Sequence, residues 1–233
     1  MNTFSLFPKR FLPMKRRLVL CLLFSVILLS FLLCSCTKSI DYFSYVSELR
    51  SNVFLYRDES YSLRIYSLEK ESPYLADGVV SSLQTRTEIR LLAPSGDKTC
   101  SVFFTVNGSE YGSEASFDNV KGEYYYACPV DTSHLSQIDV RVCYGEETFT
   151  LTAKSVLSSD TLAPKQVLQV LLEKEFALFE NLTDKYGFAG EIYIRLLYEE
   201  APYYYVGVID RQGNTTAFLL NAVTGKVLAK RQA

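Results

Sequence analysis

Between residues 61 and 153 the chain repeatedly alternates apolar and polar side chains, in runs too short for helices and each closed by a turn. A period of two puts successive side chains on opposite faces of a pleated backbone, so these runs predict strands with one buried face. Leu63, Ile65 and Ser67 alternate with Arg64, Tyr66 and Leu68. Further strands are expected at 86–92, 101–106, 123–130, 137–144 and 147–153, with a weaker one near 114–118. Pro94-Ser95-Gly96-Asp97, Asn107-Gly108, Lys121-Gly122 and Tyr144-Gly145-Glu146 supply the turns between them. The last joins Ile138, Val140, Val142 and Tyr144 to Phe149, Leu151 and Ala153, a hairpin with one apolar face. The chain holds 17 Tyr and 15 Phe but no Trp, a composition that suits half-buried strands. The expectation for 59–157 is a β-sandwich, immunoglobulin-like in outline but without the Cys–Trp–Cys core of that family.

Beyond it the pattern changes. Residues 158–163 read as a linker, and Pro164 fits the first turn of a helix, where its missing N–H is not needed. Val167, Leu168, Leu171, Leu172, Phe176 and Phe179 form an apolar stripe, predicting one helix to about residue 182. Strand patterns return at 191–198, 203–210, 215–221 and 226–230. Residues 164–233 are therefore expected to form a small α+β unit, one helix on an antiparallel sheet. At the other end, 36–58 reads as a tether running into a short helix, from Asp41 as cap and the spacing of Tyr42, Tyr45, Val46 and Leu49. The whole is mainly β with an α+β portion.

The first 35 residues read as a targeting segment. Lys15-Arg16-Arg17 precedes Leu18–Leu33, which carries no charge, and Leu33-Cys34-Ser35-Cys36 follows. This arrangement resembles the signal peptide and lipobox of bacterial lipoproteins, with Met14 a more natural start than Met1 and Cys34 a small departure from the usual pattern. The resemblance implies cleavage between Ser35 and Cys36, lipid on the Cys36 sulfur, and a domain held on the outer face of the cell membrane. An uncleaved span over the same apolar run gives the same topology. Five of the 24 basic residues and none of the 26 acidic ones precede Cys36, so the exported part is markedly acidic. Phosphate backbones repel such a surface, which argues against nucleic acid as a partner.

Near the C-terminus, Tyr203–Asp210, Thr216–Leu220 and the turn Asn221-Ala222-Val223-Thr224-Gly225-Lys226-Val227-Leu228 resemble the end of a PepSY-type domain, with Asn221 where Asp is usual. That resemblance covers about 30 residues, or about 65 with the preceding helix, and implies a non-catalytic envelope module that restrains or tunes a secreted partner.

Catalytic chemistry finds little footing. The single histidine, His134, sits in the polar turn Asp131-Thr132-Ser133-His134. One histidine excludes multi-histidine zinc sites, and neither a Gly-x-Ser-x-Gly elbow nor a Gly-Lys-Ser/Thr phosphate loop occurs. Cys100, Cys128 and Cys143 read as small core residues, with a bond from Cys100 to either of the others left open. Glu146-Glu147 and Glu199-Glu200 read as solvated turns. The expectation is a non-enzymatic protein with no catalytic residue, metal or cofactor. Its partners would be the membrane, through the lipid, and an envelope protein or wall glycan. Tyr124-Tyr125-Tyr126 and Tyr203-Tyr204-Tyr205 each lie in a strand, and the middle residues Tyr125 and Tyr204 are the candidate ligand surface.

Overall fold

The computed structural model describes residues 40–232. The expected export segment, with Ser35 and Cys36, lies outside these residues. The fold is mainly β, with two short helices. A 3-10 turn at Tyr42–Tyr45 leads into β1 (Val46–Arg57), β2 (Ser62–Glu71), β3 (Leu83–Leu92), β4 (Cys100–Val106) and β5 (Ser109–Glu114). The chain continues through β6 (Ser116–Asp118), β7 (Glu123–Cys128), β8 (Gln137–Tyr144) and β9 (Glu147–Ser155). Helices α1 (Pro164–Lys174) and α2 (Phe176–Asn181) precede two short strands, β10 (Thr183–Asp184) and β11 (Gly187–Phe188). A meander closes the chain: β12 (Gly190–Tyr198), β13 (Pro202–Asp210), β14 (Thr215–Asn221) and β15 (Val227–Gln232).

The strands at 137–144 and 147–155 form the hairpin that the alternation predicts, with Tyr144 opposite Glu147 and Gly145 at φ 61° in the turn. Two layers enclose the first core. One is β1-β2-β3-β7-β6; the other is β5-β4-β8-β9. Phe54, Leu63, Ile65, Ile89 and Leu91 from the first meet Val102, Phe104, Val140, Val142 and Leu151 from the second. β9 also pairs with the end of β1, Phe54 opposite Ser155, which seals one side of the sandwich.

The second core lies between the helices and the meander. Val167, Leu168, Leu171 and Phe179 bury against Ile192, Ile194, Leu196, Val206, Phe218 and Leu220. β1 carries the sheet from one core to the other, because it pairs antiparallel with β2 on one side and parallel with β12 on the other. The resulting path, β15-β14-β13-β12-β1-β2-β3-β7-β6, is continuous. Residues 158–163 are tied to the meander, for Leu162 N–H donates to the Ala222 carbonyl at 2.8 Å.

Two expectations need correction. The short helix expected before residue 55 is only the 3-10 turn; Val46–Arg57 is a strand. Its pairing slips at Val46/Glu48 and again at Arg50/Asn52, so Ser47 and Ser51 are extra residues. The first bulge displaces the alternation by one, so Val46 and Leu49 of the helix-side core stand three residues apart. That spacing imitates a helix, while pairing with strands on both sides decides the backbone. The single helix expected to residue 182 is broken at Glu175, whose φ of −117° and ψ of 29° are not helical. The break turns Phe179 inward and leaves Phe176 64% exposed.

Candidate ligand-binding face

Along β12, Ile192, Ile194 and Leu196 enter the helix-side core, so Glu191, Tyr193 and Arg195 take the opposite face. Parallel pairing with β1 sets Glu48 opposite Tyr193 and Arg50 opposite Arg195. On β3, Ile89 and Leu91 enter the sandwich, which turns Arg86, Glu88 and Arg90 away from it. Register then brings Tyr66 of β2 opposite Glu88, and Tyr125 of β7 opposite Arg90. One surface of the continuous sheet thus gathers arginines, glutamates and tyrosines from five strands.

Most of these charges are matched. Arg195 donates to Glu48 through Nε and Nη2, both at 2.7 Å, and Glu48 is only 6% exposed. Burial opposes the Arg195 charge, but the hydrogen bonds to Glu48 outweigh it and raise the guanidinium pKa. Arg90 donates to Glu123 and lies 3.7 Å from Glu88, while Arg86 lies 3.6 Å from Glu88 and donates to the Tyr125 hydroxyl at 3.1 Å. Burial pushes the Tyr125 hydroxyl pKa up, with Glu88 adding to it.

Arg50 is different. Its guanidinium carbon lies 4.2 Å above the Tyr66 ring, and its buried Nε has no hydrogen-bond partner. Among the described residues no carboxylate forms an ion pair with it, and its pKa is lowered, first by burial. Tyr66 and the Glu48 charge partly offset that burial, while the Arg195 charge, directly opposite on β12, adds to the lowering. The rings form the floor of this row. Tyr193 covers Gly207, where an added Cβ would lie 1.9 Å from the ring. Tyr205 stands 5.7 Å from Tyr193 with its ring tilted by 30°.

At one end of the face lies a buried acid. Glu191 is fully buried, and neither carboxylate oxygen has a hydrogen-bond partner. Burial first, then the charges of Glu71 and Asp77, raise its pKa from 4.5 to about 7, against a lowering contribution from the Ser47 hydroxyl. The segment between β2 and β3 carries Asp77 and also Tyr74, whose hydroxyl is pushed up to about 12 by burial and by Glu191. That segment packs tightly: a Cβ on Gly78 would lie 2.8 Å from the Arg211 backbone.

Of the two tyrosines expected at a ligand surface, the structure places Tyr125 on this face. Tyr204 is corrected. It is 0% exposed in the helix-side core, and its hydroxyl donates to the Leu162 carbonyl at 2.9 Å. Tyr205, its neighbour, takes the open face instead. His134 is half-exposed, with Nδ1 3.9 Å from Asp131. Cys100 and Cys128 are buried in the sandwich and Cys143 is partly buried; all three are free thiols. Burial raises the Cys100 thiol to about 11, away from nucleophilic use near neutrality. Among the described residues no three His, Cys, Asp or Glu side chains cluster as a metal site, and no helix is long and apolar enough to cross a membrane. Glu48, Arg50, Glu191 and Arg195 escaped the sequence reading, although Arg86-x-Glu88-x-Arg90 carried a trace of the face: opposite charges at every second position of a strand.

Comparison with protein-family models, curated proteins and solved structures returned no match for this chain.

Proposed function

We propose that this protein is a lipoprotein anchored through Cys36 to the outer face of a bacterial membrane, and that its domain binds an envelope component, without catalysis, through the open face of the sheet. The observation carrying the reading is Arg50. A half-buried cation without an ion-pair partner costs free energy, and a fold that keeps one beside two matched arginines has a use for an external anion at its terminal nitrogens. The rest of the face is already organised: guanidinium groups stack on Tyr66, Tyr125 and Tyr193, so little side-chain entropy remains to be lost on binding.

Two measurements test the two halves. Intact-mass analysis of membranes from cells expressing the wild type and Cys36→Ser should find a lipid adduct only in the former; an unmodified wild type with Leu18–Leu33 retained refutes the anchor. Sedimentation of the full chain with isolated envelope material should depend on the face. Loss of binding in Arg90→Ser/Tyr125→Ser with retained folding supports the reading, and undiminished binding refutes it.

A second reading treats the C-terminal part as a PepSY-like module that regulates a secreted enzyme. Its support is α1 packed on the β12–β15 meander, with the Asn221 carboxamide oxygen accepting from the backbone N–H groups of Val223 and Thr224 in the turn that the resemblance rests on.

A further inference from the structure

We infer that the partner of this face is an acidic glycan, with Arg50 holding a carboxylate of one sugar unit. The inference rests on the binding role proposed for the face and adds the chemical class.

Charge decides the sign of the ligand. Arg195, Arg50 and Arg86 form a row in register over β12, β1 and β3, with Leu68 of β2 between the last two; Arg195 is matched by Glu48, and Arg86 lies 3.6 Å from Glu88. The middle guanidinium forms no ion pair among the described residues, in a chain whose exported part is otherwise acidic. A planar guanidinium lying on a ring presents its edge donors in a fixed geometry that suits a carboxylate.

Shape favours sugar over protein. Protein interfaces usually centre on an apolar anchor or a pocket that takes one. Here the apolar residue within the row, Leu68, which pairs with both Arg50 and Arg86, is only 3% exposed and offers no anchor. What the face offers at its surface is guanidinium edges and tyrosine hydroxyls, because Arg50, Arg90 and Arg195 cover the rings of Tyr66, Tyr125 and Tyr193 and Tyr193 is only 6% exposed. Such edges bond the hydroxyls and carboxylates of a sugar chain. Adjacent strands lie about 4.8 Å apart, close to the length of one sugar unit in an extended chain. A glycan crossing the strands would therefore meet a new polar edge at most units.

The test uses the full chain in detergent and two probes with one backbone: oligogalacturonate and its methyl ester. Isothermal titration should show binding of the acid and binding at least about tenfold weaker for the ester, since a hydrogen bond to a charged group is involved. Arg50→Gln should lose about tenfold or more and Arg50→Lys less, with the thermal midpoint of Arg50→Gln equal to or above the wild type because an uncompensated charge has been removed. Equal binding of acid and ester, or wild-type affinity in Arg50→Gln, overturns the inference. So does poly-glutamate binding through Arg50 as tightly as the acid glycan, which assigns the face to an acidic protein. If neither glycan binds while envelope material still binds through the face, the glycan class fails and the binding role survives. If envelope material also ignores the face, both fail.

Discussion

Glu191 makes the stability of this fold depend on pH in a direction opposite to that of an ordinary paired carboxylate. Its carboxyl is fully buried, neither oxygen has a hydrogen-bond partner, and Glu71 and Asp77 disfavour its charge. In the unfolded chain the group titrates near 4.5; in the fold it titrates at about 7. Below the lower value both states hold the proton, and the group contributes no pH dependence. Between the two the native state binds the extra proton, so stability falls as pH rises, by at most about 1.4 kcal/mol per pH unit. Above the higher value the full cost of a buried charge is present, about 3 kcal/mol. Replacing Glu191 by Gln keeps the shape and removes the ionisation. The variant should be more stable than the wild type by about 1 kcal/mol at pH 5, where the unfolded chain is already largely ionised, and by about 3 kcal/mol at pH 8. Urea unfolding followed by far-UV circular dichroism at pH 5, 6, 7 and 8 measures this directly, and the difference between the two proteins cancels every other titrating group. Parallel pH profiles would show that Glu191 is ionised or solvated in the fold, and the reasoning would fail.

Four further outcomes follow from the same geometry. Glu48→Gln leaves Arg195 without its bidentate partner and should cost about 3 kcal/mol in urea unfolding. Gly207→Ala drives a methyl into the Tyr193 ring and should cost about 1–3 kcal/mol, with disorder of that ring visible in a crystal structure of the variant. Tyr204→Phe removes the bond to the Leu162 carbonyl and should cost about 1 kcal/mol while leaving envelope binding unchanged, since the residue is buried. Phe179→Ala should cost about 3–5 kcal/mol in urea unfolding, because its ring fills the core between α2 and the meander and touches Phe188 and Tyr42.

The legible parts of the fold were those where one face is wet and the other dry. β8 alternates cleanly and β9 does so over its second half, and the limits between them follow from the pattern and the turn glycine Gly145. β5 was missed: its residues Ser109-Glu110-Tyr111-Gly112-Ser113-Glu114 include none that is buried, so hydrophobic alternation had nothing to report. The hairpin exists because β4 offers it a register partner at every residue from Ser101 to Val106. The helix break at Glu175 was equally silent, since neither Gly nor Pro marks it. Glu175 instead receives Lys230 of β15 at 2.6 Å, a contact that no local pattern encodes.

The candidate site was hidden by the assumption that makes strands legible. A charged residue at every second position is read as solvated, and for Arg64 of β2, which is exposed, that reading holds. It fails one strand away, where Glu88 is 7% exposed, because a sheet this continuous has neighbours on both sides that supply opposite charges and rings. Whether a polar strand face is wet depends on what the adjacent strands bring in register, and register is set by bulges and crossovers far apart in the chain. Arg50 meets Arg195 across a separation of 145 residues because β1 and β12 pair in parallel, with Ser47 left over between Val46 and Glu48. Deleting Ser47 would make Val46 and Glu48 consecutive residues on opposite faces, still opposite Ile192 and Tyr193. The helix-side core and the Glu48–Arg195 ion pair both survive in that regular ladder. The deletion variant should therefore fold with a cooperative urea transition near that of the wild type, and loss of the transition would show that the bulge itself is needed to hold β1 in register.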